Sequence, residues 1–370
     1  MIIGVPRERK TLEKRVALTP DGAHRLIELG HTVLIETNAG LAVDYPDDTY
    51  REHGCKIAQS LEEVWTTAEM VVKVKEPHES EFPFFRPGLL LFDYLHLASM
   101  PEVTQALVEG GVTSIGYELV QMDDGSLPLL EPMSEIAGKL SVINGVNHLL
   151  SQNGGRGVLL PGALGVPRAQ VAVIGAGISG RAASEMAFGM GAQVTVLDID
   201  PKKLMKVHER FENQATTCYS TPEALRKVVQ QSDLVIGAVL IPGAAAPKIL
   251  TREMIAGMPK GSVFVDISID QGGCAESSKT TSLKEPTFVD QDVIHYCVPN
   301  MPAQVARTST QALTAATLPY VEKLASLGFR DAIGEVPELR RAVNTVNNKL
   351  TVKAVSEAVG IPFCSLKDAA

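Results

Sequence analysis

The chain has 370 residues, of which 45% are hydrophobic and 21% charged, with a formal net charge of −9. That length exceeds what one hydrophobic core serves and predicts two domains, and the composition can supply sizeable cores for both. Negative charge with no basic stripe to offset it argues against a nucleic-acid backbone or an anionic membrane as partner.

The opening, MIIGVPRERK, holds no apolar core of signal-peptide length, so the expected location is cytoplasmic. The longest uncharged apolar stretch, residues 234–247, is too short for a bilayer and is broken by Gly and Pro; it reads as strand plus loop. Cys55, Cys218, Cys274, Cys297 and Cys364 are scattered, with neither CxxC nor metal-ligand spacing, and read as thiols of a reducing compartment.

In chain order, residues 2–5 read as a strand. Thr19 is placed to cap a helix with Pro20 in its first turn and Gly30 after its end, and residues 32–35 alternate into a second strand. Residues 70–74, 89–95 and 112–117 supply further strands, separated by helices over 61–67 and 101–109. Such alternation predicts an α/β domain with a parallel sheet.

Ligands of these sheets bind beyond the carboxyl ends of the strands, which makes polar residues on the following loops the candidates. Arg15 lies in the first such loop and can clamp a carboxylate by two parallel hydrogen bonds, although a loop arginine taken alone is more often a solvated surface charge. Lys75 closes MVVKVK; period-two alternation puts it on one face with Lys73, so the pattern leaves open which lysine meets a ligand, and the strand end favours Lys75. His96 follows the apolar run LLLFDYL. Histidine is a residue type suited to proton exchange near neutral pH, while a lone histidine is more often structural.

A helical connector over residues 135–152 precedes the most specific segment, VAVIGAGISGRAASEMAFGMGAQVTVLD. A short apolar strand leads to Gly175, Gly177 and Gly180 in GxGxxG spacing at a helix start, and the next strand ends at Asp198. The first glycine permits the turn, the second lets backbone approach a pyrophosphate, and the third lets helix and strand pack closely. Glycines at this spacing also occur in turns that bind nothing, but strand, helix and acid together favour a dinucleotide. Asp198 is placed to accept ribose hydroxyls and repel a 2′-phosphate, which predicts NAD over NADP.

Further strands follow over residues 234–239 and 262–267. Asp270 comes after the second of these, on the loop where a nicotinamide is expected, or as a turn-forming aspartate. Asn300, in CVPNMP, is either a turn residue or an amide donor to cofactor or substrate. Residues 302–326 have the length and periodicity of a long helix returning to the first domain. The expected class is α/β: two Rossmann-like domains with parallel sheets, a discontinuous substrate domain of residues 1–134 and 303–370 and an NAD-binding domain of residues 135–302, with a cleft at the hinge.

Across nearly its whole length the sequence resembles the alanine dehydrogenase family, together with the related nucleotide-binding part of proton-translocating transhydrogenase. The resemblance is carried by GVPRE followed by Glu13, Arg15 and VALTP, by GAGISG through GAQVTVLD, and by VKVKEP, DYLHLA, EPMSEIAG, DISIDQGG, HYCVPNMP and TSTQALTAATLPY. Leu12 stands where the family usually has asparagine, and Ser179 where it usually has alanine.

The resemblance implies NAD-dependent, reversible oxidative deamination of L-alanine to pyruvate and ammonium. It implies that Arg15 and Lys75 bind the carboxylate and oxo group, that His96 is the general acid/base, and that Asp270 assists proton transfer. Asn300 and Met301 would lie beside the nicotinamide. Ser134, Lys203, Ser220, Val239, Leu240 and Ile267 correspond to family positions touching the cofactor, with Asp198 on the adenosine ribose. It also implies a homo-oligomer, commonly a hexamer. Two other classes compete: a transhydrogenase component, which would not need Lys75 and His96 for a substrate, and a non-catalytic dinucleotide sensor, in which both would be incidental.

Overall fold

The structure, a computed structural model, describes residues 1–239 and 246–369. The chain divides into two compact units, Met1–Met133 with Ala303–Ala370, and Ser134–Pro302.

The first unit opens with β1 (Ile2–Val5), β2 (Thr32–Glu36), β3 (Lys56–Ala58), β4 (Met70–Val72), β5 (Leu90–Asp93) and β6 (Thr113–Gly116). These six strands are mutually parallel in the order β3-β2-β1-β4-β5-β6. The order reverses between β1 and β4, the switch point where open α/β sheets place their ligands. Every residue of β4 and β5 is buried, which is why these segments read as continuous apolar runs without alternation. Trp65, Val71, Leu91, Leu95 and Leu107 form the core on one side of this sheet.

The second unit contains β7 (Gln170–Ile174), β8 (Gln193–Asp198), β9 (Thr216–Tyr219), β10 (Leu234–Gly237), β11 (Val263–Asp266), β12 (Thr287–Asp290) and β13 (Val293–Tyr296). Its order is β12-β13-β11-β10-β7-β8-β9, with only β12 antiparallel. Ala172, Ile174, Leu197, Val229, Val235 and Phe264 belong to its core. The chain then returns to the first sheet, where β14 (Val343–Val346) pairs antiparallel with β6 and β15 (Lys349–Leu350) closes a hairpin. Both units are therefore Rossmann-like, and the first is discontinuous.

Several elements differ from the expectations. The fourth and fifth strands stop at Val72 and Asp93, so Lys75 and His96 each lie three residues beyond a strand rather than at its tip. The connector helix starts earlier, running Glu131–Leu149. The long helix is Ala306–Glu335, preceded by a 3-10 turn over Met301–Val305 and interrupted at Gly328, whose φ of 76° and ψ of 167° no helix accommodates. This helix buttresses the loop after β1: Thr310 Oγ1 accepts the Val16 N–H at 3.2 Å, and Thr314 Oγ1 donates to the Ala17 carbonyl at 3.3 Å. Helix starts follow the expected chemistry, as where the Thr19 hydroxyl accepts the Gly22 N–H before Pro20–Glu28.

Among the described residues no helix is long and apolar enough to cross a membrane. All five cysteines are unpaired, with Cys55, Cys274 and Cys297 buried.

Candidate functional site

In the first unit the loops after four neighbouring parallel strands carry the polar residues. Arg15 follows β1, Lys75 follows β4, His96 follows β5 and Glu118 follows β6. The loop after β1 folds around a buried pair. Arg15 Nε and Nη2 donate to the two oxygens of Glu13, both at 2.7 Å, and the Arg15 backbone N–H donates to Glu13 Oε1 at 3.1 Å. The Arg15 side chain is 2% exposed and that of Glu13 not at all. Burial alone would lower the guanidinium pKa; Glu13 more than reverses that and raises it. The two parallel hydrogen bonds from the side-on edge of Arg15 therefore go to Glu13. Its Nη1 points to Met133 Sδ at 3.1 Å.

Leu12 precedes this pair at φ 65°, in the left-handed region where asparagine is far better tolerated. The neighbouring turn is held instead by the Glu13 N–H on the Lys10 carbonyl at 3.0 Å.

The two lysines differ in their surroundings. Lys73 is buried and donates to Glu81 Oε1 at 2.9 Å, with Glu8 Oε2 at 3.6 Å. Burial opposes its charge, but the two carboxylates outweigh burial and raise its pKa. Lys75 is partly exposed, and its Nζ lies 3.7 Å from Glu76 Oε2. Burial would raise Glu76, whereas Lys75 and then Lys10 bring it below its ordinary value. Lys73 is thus engaged by two buried carboxylates, while Lys75 lies on the loop beyond β4.

His96 adopts φ 49° and ψ 37°, a left-handed conformation that costs about 1–3 kcal/mol in a residue with a Cβ. The Glu118 carboxyl group offsets part of that cost, accepting the His96 N–H at 2.7 Å with one oxygen and the Leu95 N–H at 3.2 Å with the other. The His96 ring stacks on Tyr94, with centroids 5.8 Å apart and planes within 2°. Tyr94 is anchored by its hydroxyl on the Leu129 carbonyl and packs edge-on against Tyr117. Below this layer Asp93 is fully buried, and neither of its oxygens has a hydrogen-bond partner among the described residues. Burial pushes its carboxyl pKa well up, and Glu118, Glu8 and Glu76 push the same way against Lys73.

In the second unit the glycine turn is built as the motif requires. Gly175 has φ 102°, and a Cβ there would come within 2.3 Å of the Ala238 carbonyl oxygen. A Cβ on Gly180 would come within 1.7 Å of the Gly175 carbonyl oxygen, so helix Ile178–Gly189 packs directly on the turn. At Gly177, the N-cap, an added Cβ would meet nothing within 4 Å. Among the described residues no side chain caps this helix, and its first turn carries no acid, so its positive end suits an anion. This cradle fits a pyrophosphate.

Asp198 closes β8 and is 9% exposed. Its Oδ2 accepts the Ala176 N–H at 2.6 Å and its Oδ1 the Asp200 N–H at 2.8 Å, tying the acid to the glycine turn. The Ser220 N–H donates to the Asp198 carbonyl at 3.0 Å. Lys203 is exposed on helix Pro201–Arg210. Ser134 is half-buried on helix Glu131–Leu149, one turn before Gly138. A Cβ on Gly138 would come within 2.2 Å of the Ser179 carbonyl oxygen, so close packing at that glycine places the Ser134 face beside the nucleotide turn.

Beyond β10 and β11 the loops are stitched by Ser268, whose Oγ accepts the Val239 N–H at 3.0 Å and donates to the Val239 carbonyl at 2.8 Å. Half-buried Ile267 begins the 3-10 turn Ile267–Gln271 that carries exposed Asp270. Asp270 Oδ1 accepts the Asn300 N–H at 3.3 Å, joining the turns after β11 and β13. Asn300 is left-handed at φ 54°, and Met301 is buried. Leu240 lies outside the described residues.

Glu118 and Asp266 escaped the sequence reading, and Glu13 entered it only as part of the family signature, without a role. Asp266 is buried at the end of β11 and holds the Asp270 loop, accepting from Ser268 N–H at 3.0 Å, Cys274 N–H at 2.9 Å and Ser278 Oγ at 2.5 Å. An acid two residues from an arginine, or at the last position of an apolar strand, was the available signal.

Fold and glycine turn together define a two-unit α/β protein of the dinucleotide-binding class. Residues 4–137 match the description "Alanine dehydrogenase/PNT, N-terminal domain" and residues 141–353 match "Alanine dehydrogenase/PNT, C-terminal domain". The sequence is 49% identical over 370 residues to an alanine dehydrogenase of Staphylococcus haemolyticus (strain JCSC1435) and to alanine dehydrogenase 2 of Staphylococcus aureus (strain USA300), covering 100% of this chain and 99% of each relative. A solved L-alanine dehydrogenase superposes with a TM-score of 0.94 at 44% identity, covering 97% of this chain and 99% of that one. A transhydrogenase from Sinorhizobium meliloti shares the fold, with a TM-score of 0.81 at 24% identity over 96% of this chain and 100% of its own. The chain belongs to the alanine dehydrogenase/PNT family.

Proposed function

We propose that this chain catalyses the reversible oxidative deamination of L-alanine by NAD, releasing pyruvate, ammonium and NADH. The observation that carries the reading is the placement of Arg15, Lys75 and His96 on the loops beyond β1, β4 and β5, three adjacent parallel strands flanking the switch point of one sheet. Family membership supports alanine as the substrate.

Arg15 and Lys75 bind the carboxylate and the oxo group of pyruvate. Glu13 holds the side-on edge of Arg15 and so fixes the guanidinium that would meet the substrate carboxylate. Gly175, Gly177 and Gly180 cradle the pyrophosphate, Asp198 accepts from the adenosine ribose, and Ser134, Lys203, Ser220, Val239, Leu240 and Ile267 contribute further cofactor contacts. Asp270, Asn300 and Met301 flank the nicotinamide. The tie between Asp198 and the glycine turn supports NAD over NADP, since a 2′-phosphate would face a carboxylate fixed by two backbone N–H groups.

A bound oxidised nicotinamide supplies the acceptor for the hydride of the amino-acid α-carbon. Arg15 and Lys75 hold that carbon still, which supplies much of the rate. Hydride loss leaves an iminium, water adds to its carbon, and His96 or Asp270 takes the proton that water gives up. The same group returns a proton to nitrogen; ammonia then leaves as the carbinolamine hydroxyl gives up its own proton to that group, so pyruvate remains and the ammonia takes up a proton to become ammonium. The setting proposed is cytoplasmic and homo-oligomeric, as a hexamer, without nucleic-acid or membrane partners.

A panel of amino acids with NAD, read by absorbance, tests the substrate. L-alanine should give the highest rate of NADH formation. NADH turnover that requires a second nicotinamide nucleotide, or dinucleotide binding with no turnover on any amino acid, would overturn the reading.

A further inference from the structure

We infer that Glu118 is a positioning residue for the proton transfer, setting the backbone from which His96 projects. The inference rests on the assignment of His96 as the acid/base group. Glu118 follows β6, the neighbour of β5, and its two carboxyl oxygens accept the consecutive N–H groups of Leu95 and His96 where the chain turns out of the sheet. These two bonds hold His96 at φ 49° and ψ 37°. A residue with a Cβ relaxes from that conformation unless its surroundings fix it.

The rest of the support is consistent with one orientation of the ring. Tyr94 lies flat against the His96 imidazole and is held from behind by Leu129 and Tyr117. Room for the Glu118 carboxyl group comes from Gly116, where an added Cβ would lie 3.1 Å from Glu118 Oε1 and 2.8 Å from Asn344 Nδ2. Glutamate is the residue type the geometry requires, because both N–H groups need an acceptor and a carboxyl group presents one to each. A glutamine would turn an NH₂ group toward one of them.

The test is a double-mutant cycle on kcat for alanine deamination, with NADH affinity and thermal unfolding measured on each protein. His96→Ala should lower kcat by about 10²–10⁴-fold. Glu118→Ala should lower it by up to about 10²-fold through misplacement of the ring, and Glu118→Gln, which leaves one N–H without an acceptor, by about tenfold, with NADH affinity retained in both.

In the His96→Ala background either Glu118 substitution should change kcat by less than about twofold, while its effect on unfolding temperature persists. A merely structural role would give multiplicative losses in the double variant, and that result would overturn the inference. So would near-normal kcat in Glu118→Gln alongside a crippled His96→Ala; the Gln variant decides the matter if Glu118→Ala does not fold. Near-normal turnover in His96→Ala would instead remove His96 from the reaction, a separate failure read from a different protein.

Discussion

Glu13 and Arg15 grip each other through two parallel hydrogen bonds of 2.7 Å, with Glu13 fully buried and Arg15 nearly so. The guanidinium proposed to bind substrate is thereby fixed before any ligand arrives. Removing one partner of a buried pair leaves an uncompensated charge, at about 3–5 kcal/mol. Glu13→Ala should lose stability of that order in urea unfolding and raise the KM for pyruvate. A loss below about 0.5 kcal/mol would place the pair among surface ion pairs in its worth.

The glycine turn predicts opposite behaviour at two of its positions. Gly180→Ala forces a Cβ to within 1.7 Å of a backbone oxygen and should disrupt the turn, lowering both thermal stability and dinucleotide binding. Gly177→Ala meets open space at an ordinary φ of −67° and should fold normally. Its methyl stands where a pyrophosphate would lie, so NADH affinity should fall by about tenfold or more in a fluorescence titration. Unchanged affinity in Gly177→Ala would remove the pyrophosphate from this turn.

Asp198 should set cofactor choice. Wild-type protein should show a higher kcat/KM with NAD than with NADP, and Asp198→Asn should narrow the ratio by removing charge while keeping an acceptor for the Ala176 or Asp200 N–H. Comparable efficiencies with the two cofactors in the wild type would show that Asp198 does not face the ribose.

Asp93 gives a pH dependence of defined sign. Its folded pKa is raised well above 3.8, chiefly by burial, so the folded state binds the proton more tightly than the unfolded state. That contribution to stability is fully present below pH 3.8 and is lost as pH rises through the elevated folded value. Asp93→Asn cannot ionise, so its melting temperature relative to wild type should climb from acid toward alkaline pH. A difference that stays flat or falls with pH would mean Asp93 is not titrating as a buried, unpartnered acid.

Much of this architecture was legible in the sequence because its main signals are local. Gly175, Gly177, Gly180 and Asp198 announce strand, turn, helix and acid within one segment, and Thr19–Pro20 and Leu61–Thr67 start and stop where capping chemistry places them. Edge elements were harder to read. β9 and β12 are short and partly exposed, and β14 buries Asn344 and Thr345 against an apolar pattern, its hairpin marked only by left-handed Asn347 and Asn348. The site itself was half visible: periodicity put Lys73 and Lys75 on one face, and only the three-dimensional placement of Glu8 and Glu81 separates them. Glu118 lies 22 residues from His96 in sequence, and no local pattern connects them.

The central claim is hydride transfer from the α-carbon of alanine to a nicotinamide. L-Alanine carrying deuterium at that carbon, incubated with NAD and the enzyme, should yield reduced cofactor that contains the deuterium and pyruvate that does not, by mass spectrometry of both products. Unlabelled NADH, or label that enters the cofactor only when a second nicotinamide nucleotide is present, would contradict the account.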